Sequence, residues 1–176
     1  MSFRLLFLSL VFIAMVPLAI QAQNEIDRAH ISLEGLQEVG FTANIEGSRT
    51  IADNQNLTPS VIRDEAVKQI VEADIRFVDD EEVRSSADIP FLHLHINAME
   101  MENGLIPFSI RLRLYQPVKL SLNRDLETTA STWEDAMVGL VSYDQVAVIA
   151  EAASNIVDSF IEDFSSANPN SGRIIR

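Results

Sequence analysis

The chain has no cysteine. That excludes thiol catalysis, disulfide bonding and cysteine-ligated zinc. It is short of cations, with 13 Lys and Arg against 26 Asp and Glu and a net charge of −13. Such a field repels phosphate backbones, so nucleic acid is not an expected partner. Glycine is scarce, at 6 residues in 176. No Gly-rich phosphate loop, nucleophile elbow or zinc-protease helix motif is present, and no cofactor is implied. With so many carboxylates some pairs fall close by chance, and spacing alone nominates no acid and base. There is one Trp, Trp133. Beyond residue 22 there is no long apolar run, so a spanning helix is not expected in the rest of the chain.

What is there begins with residues 1–22. Arg4 precedes an apolar stretch, Leu5 to Ile20, broken only by Ser9 and Pro17, and Gln21-Ala22 offers a small residue at a cleavage point. This is the layout of a secretory signal peptide. It predicts a periplasmic or secreted protein that touches the membrane only through that segment before cleavage. Residues 23–168 form one domain of a size that builds its own core without staples. Within the polar run Ser165 to Arg176, residues 169–176 read as a disordered tail. Asn56-Leu57-Thr58 matches a glycosylation sequon at chance level.

Val39, Phe41, Ala43 and Ile45 alternate with small or polar residues and predict a half-buried strand. Thr58-Pro59 announces a helix whose buried stripe is Ile62, Ala66, Ile70 and Ala73. Ile75 to Val78 reads as a short strand. Asp79-Asp80-Glu81-Glu82 reads as a cap and acidic first turn rather than a calcium loop, which needs alternating oxygen ligands and a central glycine. A further strand is expected over Leu126 to Trp133, after a turn at Asn123-Arg124-Asp125. Ser142 and Gln145 have capping-box spacing before a last helix, with Val146, Ile149, Ala153, Ile156, Phe160 and Phe164 as its stripe and an end near Asn168.

The clearest signal is a hairpin. Leu92, Leu94, Ile96 and Ala98 share one face of the first arm; Ile110, Leu112, Leu114, Val118, Leu120 and Leu122 share one face of the second. A two-residue Asn103-Gly104 turn would set Ile96 against Arg111 and mix the faces. A three-residue loop with Gly104 left-handed sets Ile96 against Ile110 and keeps them apart, with Pro107 a place for a bulge. The predicted fold is α+β: a two-layer sandwich in which a mainly antiparallel sheet with this long hairpin packs on two amphipathic helices.

That register puts Phe91, His93, His95, Arg111, Arg113 and Tyr115 together on the opposite face. The stripe reads either as solvated surface with Arg stems over aromatic rings or as a contact surface for an acidic partner or a second copy. A metal held by His93 and His95 is opposed by the neighbouring arginines and lacks a third ligand. Trp133 fills a core edge, or lines the mouth of a cavity in a carrier of a small apolar ligand. The first expectation is a non-enzymatic macromolecule-binding or accessory module of the bacterial envelope; the carrier is the alternative.

Pro90-Phe91-Leu92-His93-Leu94-His95-Ile96, Gln116-Pro117-Val118, Thr132-Trp133 and Phe160 through Phe164 to Asn168-Pro169 together resemble a group of small exported bacterial proteins of unknown function. The layout is also similar to small α/β domains of periplasmic assembly proteins, such as the amino-terminal domain of the Tol-system translocation protein. The resemblance implies a compartment and a fold but no activity.

Overall fold

The computed structural model describes residues 29–169, so the expected signal segment lies outside the described residues, as does all of the expected tail after Pro169. Strand β1 covers Glu38–Gly47. Helix α1 (Arg49–Ala52) and a 3₁₀ turn (Gln55–Leu57) lead into α2 (Pro59–Glu72). Then come β2 (Arg76–Phe77), α3 (Asp80–Ser85), β3 (Phe91–Ala98), β4 (Leu105–Leu120) and β5 (Asn123–Ser142). A 3₁₀ turn (Tyr143–Gln145) precedes the last helix, α4 (Ala147–Ala167). The five strands form one mixed sheet in the order β2-β1-β3-β4-β5. β1 pairs in parallel with β2 and β3, while β3, β4 and β5 form an antiparallel meander.

Local chemistry sets the helix ends. Thr58 accepts from the Val61 amide and Pro59 takes a first-turn position in α2. Asp74 closes that helix with φ 58°, while the Ile75 amide returns to the Ile70 carbonyl. Asp79 accepts from the amides of Glu81 and Glu82, so the acidic run is a cap and first turn. Ser142 and Gln145 do not build the expected capping box. The Ser142 hydroxyl lies 2.5 Å from Asp144 Oδ1 and 3.0 Å from Gln145 Oε1, and makes no bond to the backbone of its turn. At the far end of α4 the Asn168 side chain donates to the Leu33 carbonyl and accepts from the Gly35 amide.

The core lies between one sheet face and α2 and α4. Ile62, Ala66 and Ile70 of α2 and Ile149, Ala153, Ile156, Phe160 and Phe164 of α4 are buried against Phe41, Leu92, Leu94, Ile96, Ile110, Leu112 and Leu114. Gln69 joins the two helices by donating to Ser154 Oγ (2.9 Å) and Asp158 Oδ1 (2.8 Å).

The hairpin register is the predicted one, with Ile96 opposite Ile110 and Leu92 opposite Leu114. The Met101 amide bonds the Leu105 carbonyl across three loop residues, and Gly104 has φ 76°. Four expectations fail. Pro107 makes no bulge; the register shifts between Leu114 and Tyr115, where Thr132 is the extra residue of β5. The next turn is at Ser121-Leu122, not Asn123–Asp125. The inward row ends at Leu114: Val118 is half-buried, Leu120 is exposed and Leu122 is fully so at 100%. Past Tyr115, β4 has lost β3 as a neighbour, and β4 and β5 continue as a two-stranded ribbon beyond the core. β5 does not stop at Trp133 but runs nine residues further, to Ser142. Among the described residues no helix is long and apolar enough to cross a membrane.

Candidate functional site

The sheet face away from α2 and α4 carries the six residues singled out from the sequence. Because side chains alternate along each strand, residues paired across strands share a face and line up in rows. One row is Thr42, His93, Arg113, Glu134; the next is Asn44, His95, Arg111, Ala136; the third is Glu46, Asn97, Ser109, Val138. Phe91 and Tyr115 stand opposite one another at the end of the block, rings stacked at 5.2 Å and 16°. Ser109, Asn97 and Ala136 are small. The surface therefore sinks between the arginine, histidine and tyrosine side chains and Val138 into an open groove of about 310 Å³.

Glu134 lies within the arginine row. Arg113 Nε donates to Glu134 Oε2, and Arg111 Nε lies 3.5 Å from Glu134 Oε1. One carboxylate thus serves two guanidiniums, and the Arg113 pKa is raised chiefly by its hydrogen bond to Glu134 and next by that to Tyr115. On the other arm, His93 Nδ1 and Thr42 Oγ1 share a hydrogen bond at 2.9 Å. Partial burial, then His95, then Arg113 hold the His93 pKa below its ordinary value, which favours the neutral ring. His95 Nε2 is 3.6 Å from Glu46 Oε2, beyond hydrogen-bonding reach. The His93 and His95 rings are 6.4 Å apart, and among the described residues no three His, Asp or Glu side chains converge on a common point.

Trp133 is not part of this face. Only 3% exposed, it packs edge-on against Phe160 at 5.3 Å and donates its indole N–H to Asp163 Oδ2 at 2.9 Å. Its burial and its packing on Phe160 are those of a core residue. The sequence reading missed the β1 contribution, Thr42 and Glu46, and the β5 contribution, Glu134, Ala136 and Val138. The β1 residues were legible as the outward set of an alternating strand, but not their adjacency to β3, which is a parallel, non-local pairing. Glu134 and its neighbours were hidden because β5 was expected to end at Trp133.

No protein-family model matches the chain, and no curated protein matches it in sequence. Among solved structures, dodecamers of PelC from Paraburkholderia phytofirmans show a weak likeness at 10% identity and a TM-score of 0.43. A point variant covers 74% of this chain and 90% of its own, and a second crystal form covers 72% and 87%.

Proposed function

We propose that the outer face of the β3–β4 hairpin is a docking surface for an acidic macromolecular partner. On this reading the protein is a non-catalytic accessory module of an exported compartment, periplasmic or outside the cell. The observation that carries the reading is the sharing of Glu134 by Arg111 and Arg113 beside an open groove. At the arginines two cations share one carboxylate, a local positive excess on a chain of net charge −13, with Glu46 two rows away beside His95. A partner carboxylate entering the groove meets guanidinium donors suited to planar, paired hydrogen bonds. The stacked Phe91–Tyr115 pair at the groove end supplies the rigid aromatic area that anchors protein interfaces. A second copy docked by this face would set arginine against arginine, which favours a different, acidic partner.

The test is affinity capture from native envelope and secreted fractions, followed by direct binding of the captured protein to the purified chain. An Arg111→Gln/Arg113→Gln variant should lose the partner while keeping its circular dichroism spectrum and melting temperature close to wild type. Equal capture by both chains would show that this face is not the docking surface.

A further inference from the structure

β5 is the last strand of the sheet, and among the described residues no strand pairs with its far side. Proteins protect such edges by making them short, by placing lysine or proline on them, or by bulging or covering them. The opposite margin uses the first device, since β2 is two residues long. β5 has 20 residues. Its middle is covered at Thr132, whose carbonyl accepts from Ser32 Oγ at 3.0 Å. Further on, the Ala136 amide donates to Asp135 Oδ1 at 2.8 Å. An amide used in this way is turned away from β4, so the even-numbered backbone groups of this stretch face the free edge.

Past that capped amide the chain reads Met137-Val138-Gly139-Leu140-Val141, without a charge or a proline. Val138 is 83% exposed and Leu140 59%. An uncharged apolar segment on an open edge is a template for another strand.

We propose that this edge pairs with the same edge of a second copy, antiparallel, about a twofold axis at Val138. Three features favour that register. Backbone parity makes Val138 opposite Val138 of the second copy a hydrogen-bonded pair, as a twofold-symmetric antiparallel ladder allows. Shape fits as well: Ala136, whose amide exchanges Asp135 for the Leu140 carbonyl of the second copy, meets Leu140 on the outer face, and Met137 meets Gly139 on the inner, small against large in both cases. Charge decides between this and an in-register parallel arrangement. Parallel edges would put Glu134 and Asp135 beside their own copies. In the antiparallel pair Glu134 faces Ser142, and the two Glu134 residues stand eight positions apart, roughly 27 Å at about 3.4 Å per residue.

The product is a continuous ten-stranded sheet. Paired residues of an antiparallel ladder project to the same side, so both grooves open on one face and flank the seam.

Sedimentation equilibrium of the purified chain, in the form the producing cell yields, tests the proposal. Wild type should sediment at twice the chain mass. Val138→Lys places like charges face to face and should weaken association about tenfold or more. Mixing Val138→Lys with Val138→Glu should restore a dimer containing one of each, because among antiparallel registers only this one sets position 138 against itself. A wild-type chain that stays monomeric, an assembly that Val138→Lys leaves intact, or a mixture that fails to associate would each overturn the proposal. The Arg111→Gln/Arg113→Gln variant should remain dimeric, which separates this edge from the docking face.

Discussion

Phe108 on β4 and Gly139 on β5 are cross-strand partners, and the Phe108 ring occupies the space a side chain at 139 would need: a Cβ there would stand 2.4 Å from Phe108 Cζ. The ring is buried, so it has little freedom to swing away. Gly139→Ala should therefore destabilise the fold by about 1–3 kcal/mol through overpacking. Urea denaturation would show it as a lower midpoint at unchanged slope. Pairing Gly139→Ala with Phe108→Leu should recover part of the loss.

His93 sets a pH dependence. Its folded pKa lies below 6.5, lowered by burial, then by His95, then by Arg113. The folded chain thus binds the proton less readily than the unfolded one. The stabilisation is full above about pH 6.5 and is lost as pH falls through the folded value. Titratable and charged groups around the ring are His95, Arg113 and Tyr115, with Glu134 beyond Arg113 in the row. Melting temperature should fall on acidification from pH 7 to 5, and His93→Gln should flatten that slope. A His93→Gln variant with the wild-type slope would assign the effect to other groups.

Asp74 ends α2 in the left-handed region at φ 58°, a conformation glycine adopts without steric cost. Asp74→Gly relieves the strain but also loosens the unfolded chain. The net expectation is a gain of about 0.5 kcal/mol. Asp74→Val, β-branched at the same angle, should instead destabilise. Thermal unfolding of the two variants side by side reads both signs.

The parts of the fold whose pattern is local were legible along the chain. Period-two alternation over Leu92–Ala98 and Ile110–Leu114, with Gly104 in the loop, leaves one register that keeps polar and apolar faces apart, and that register assembles Phe91, His93, His95, Arg111, Arg113 and Tyr115. Thr58-Pro59, Asp79 and the stripe from Val146 to Phe164 likewise sort themselves within a few turns of chain. The rest depends on contacts between distant segments. Leu120 and Leu122 look like core residues, but the ribbon that carries them runs past the helices, so nothing covers them. Val138 and Leu140 break the alternation of β5 because they face outward while apolar, and so the strand that delivers Glu134 to the arginines was illegible. The parallel pairing of β1 with β3 joins segments separated by α1, α2, β2 and α3; a strand's own residues record which face is dry, not which distant strand lies beside it.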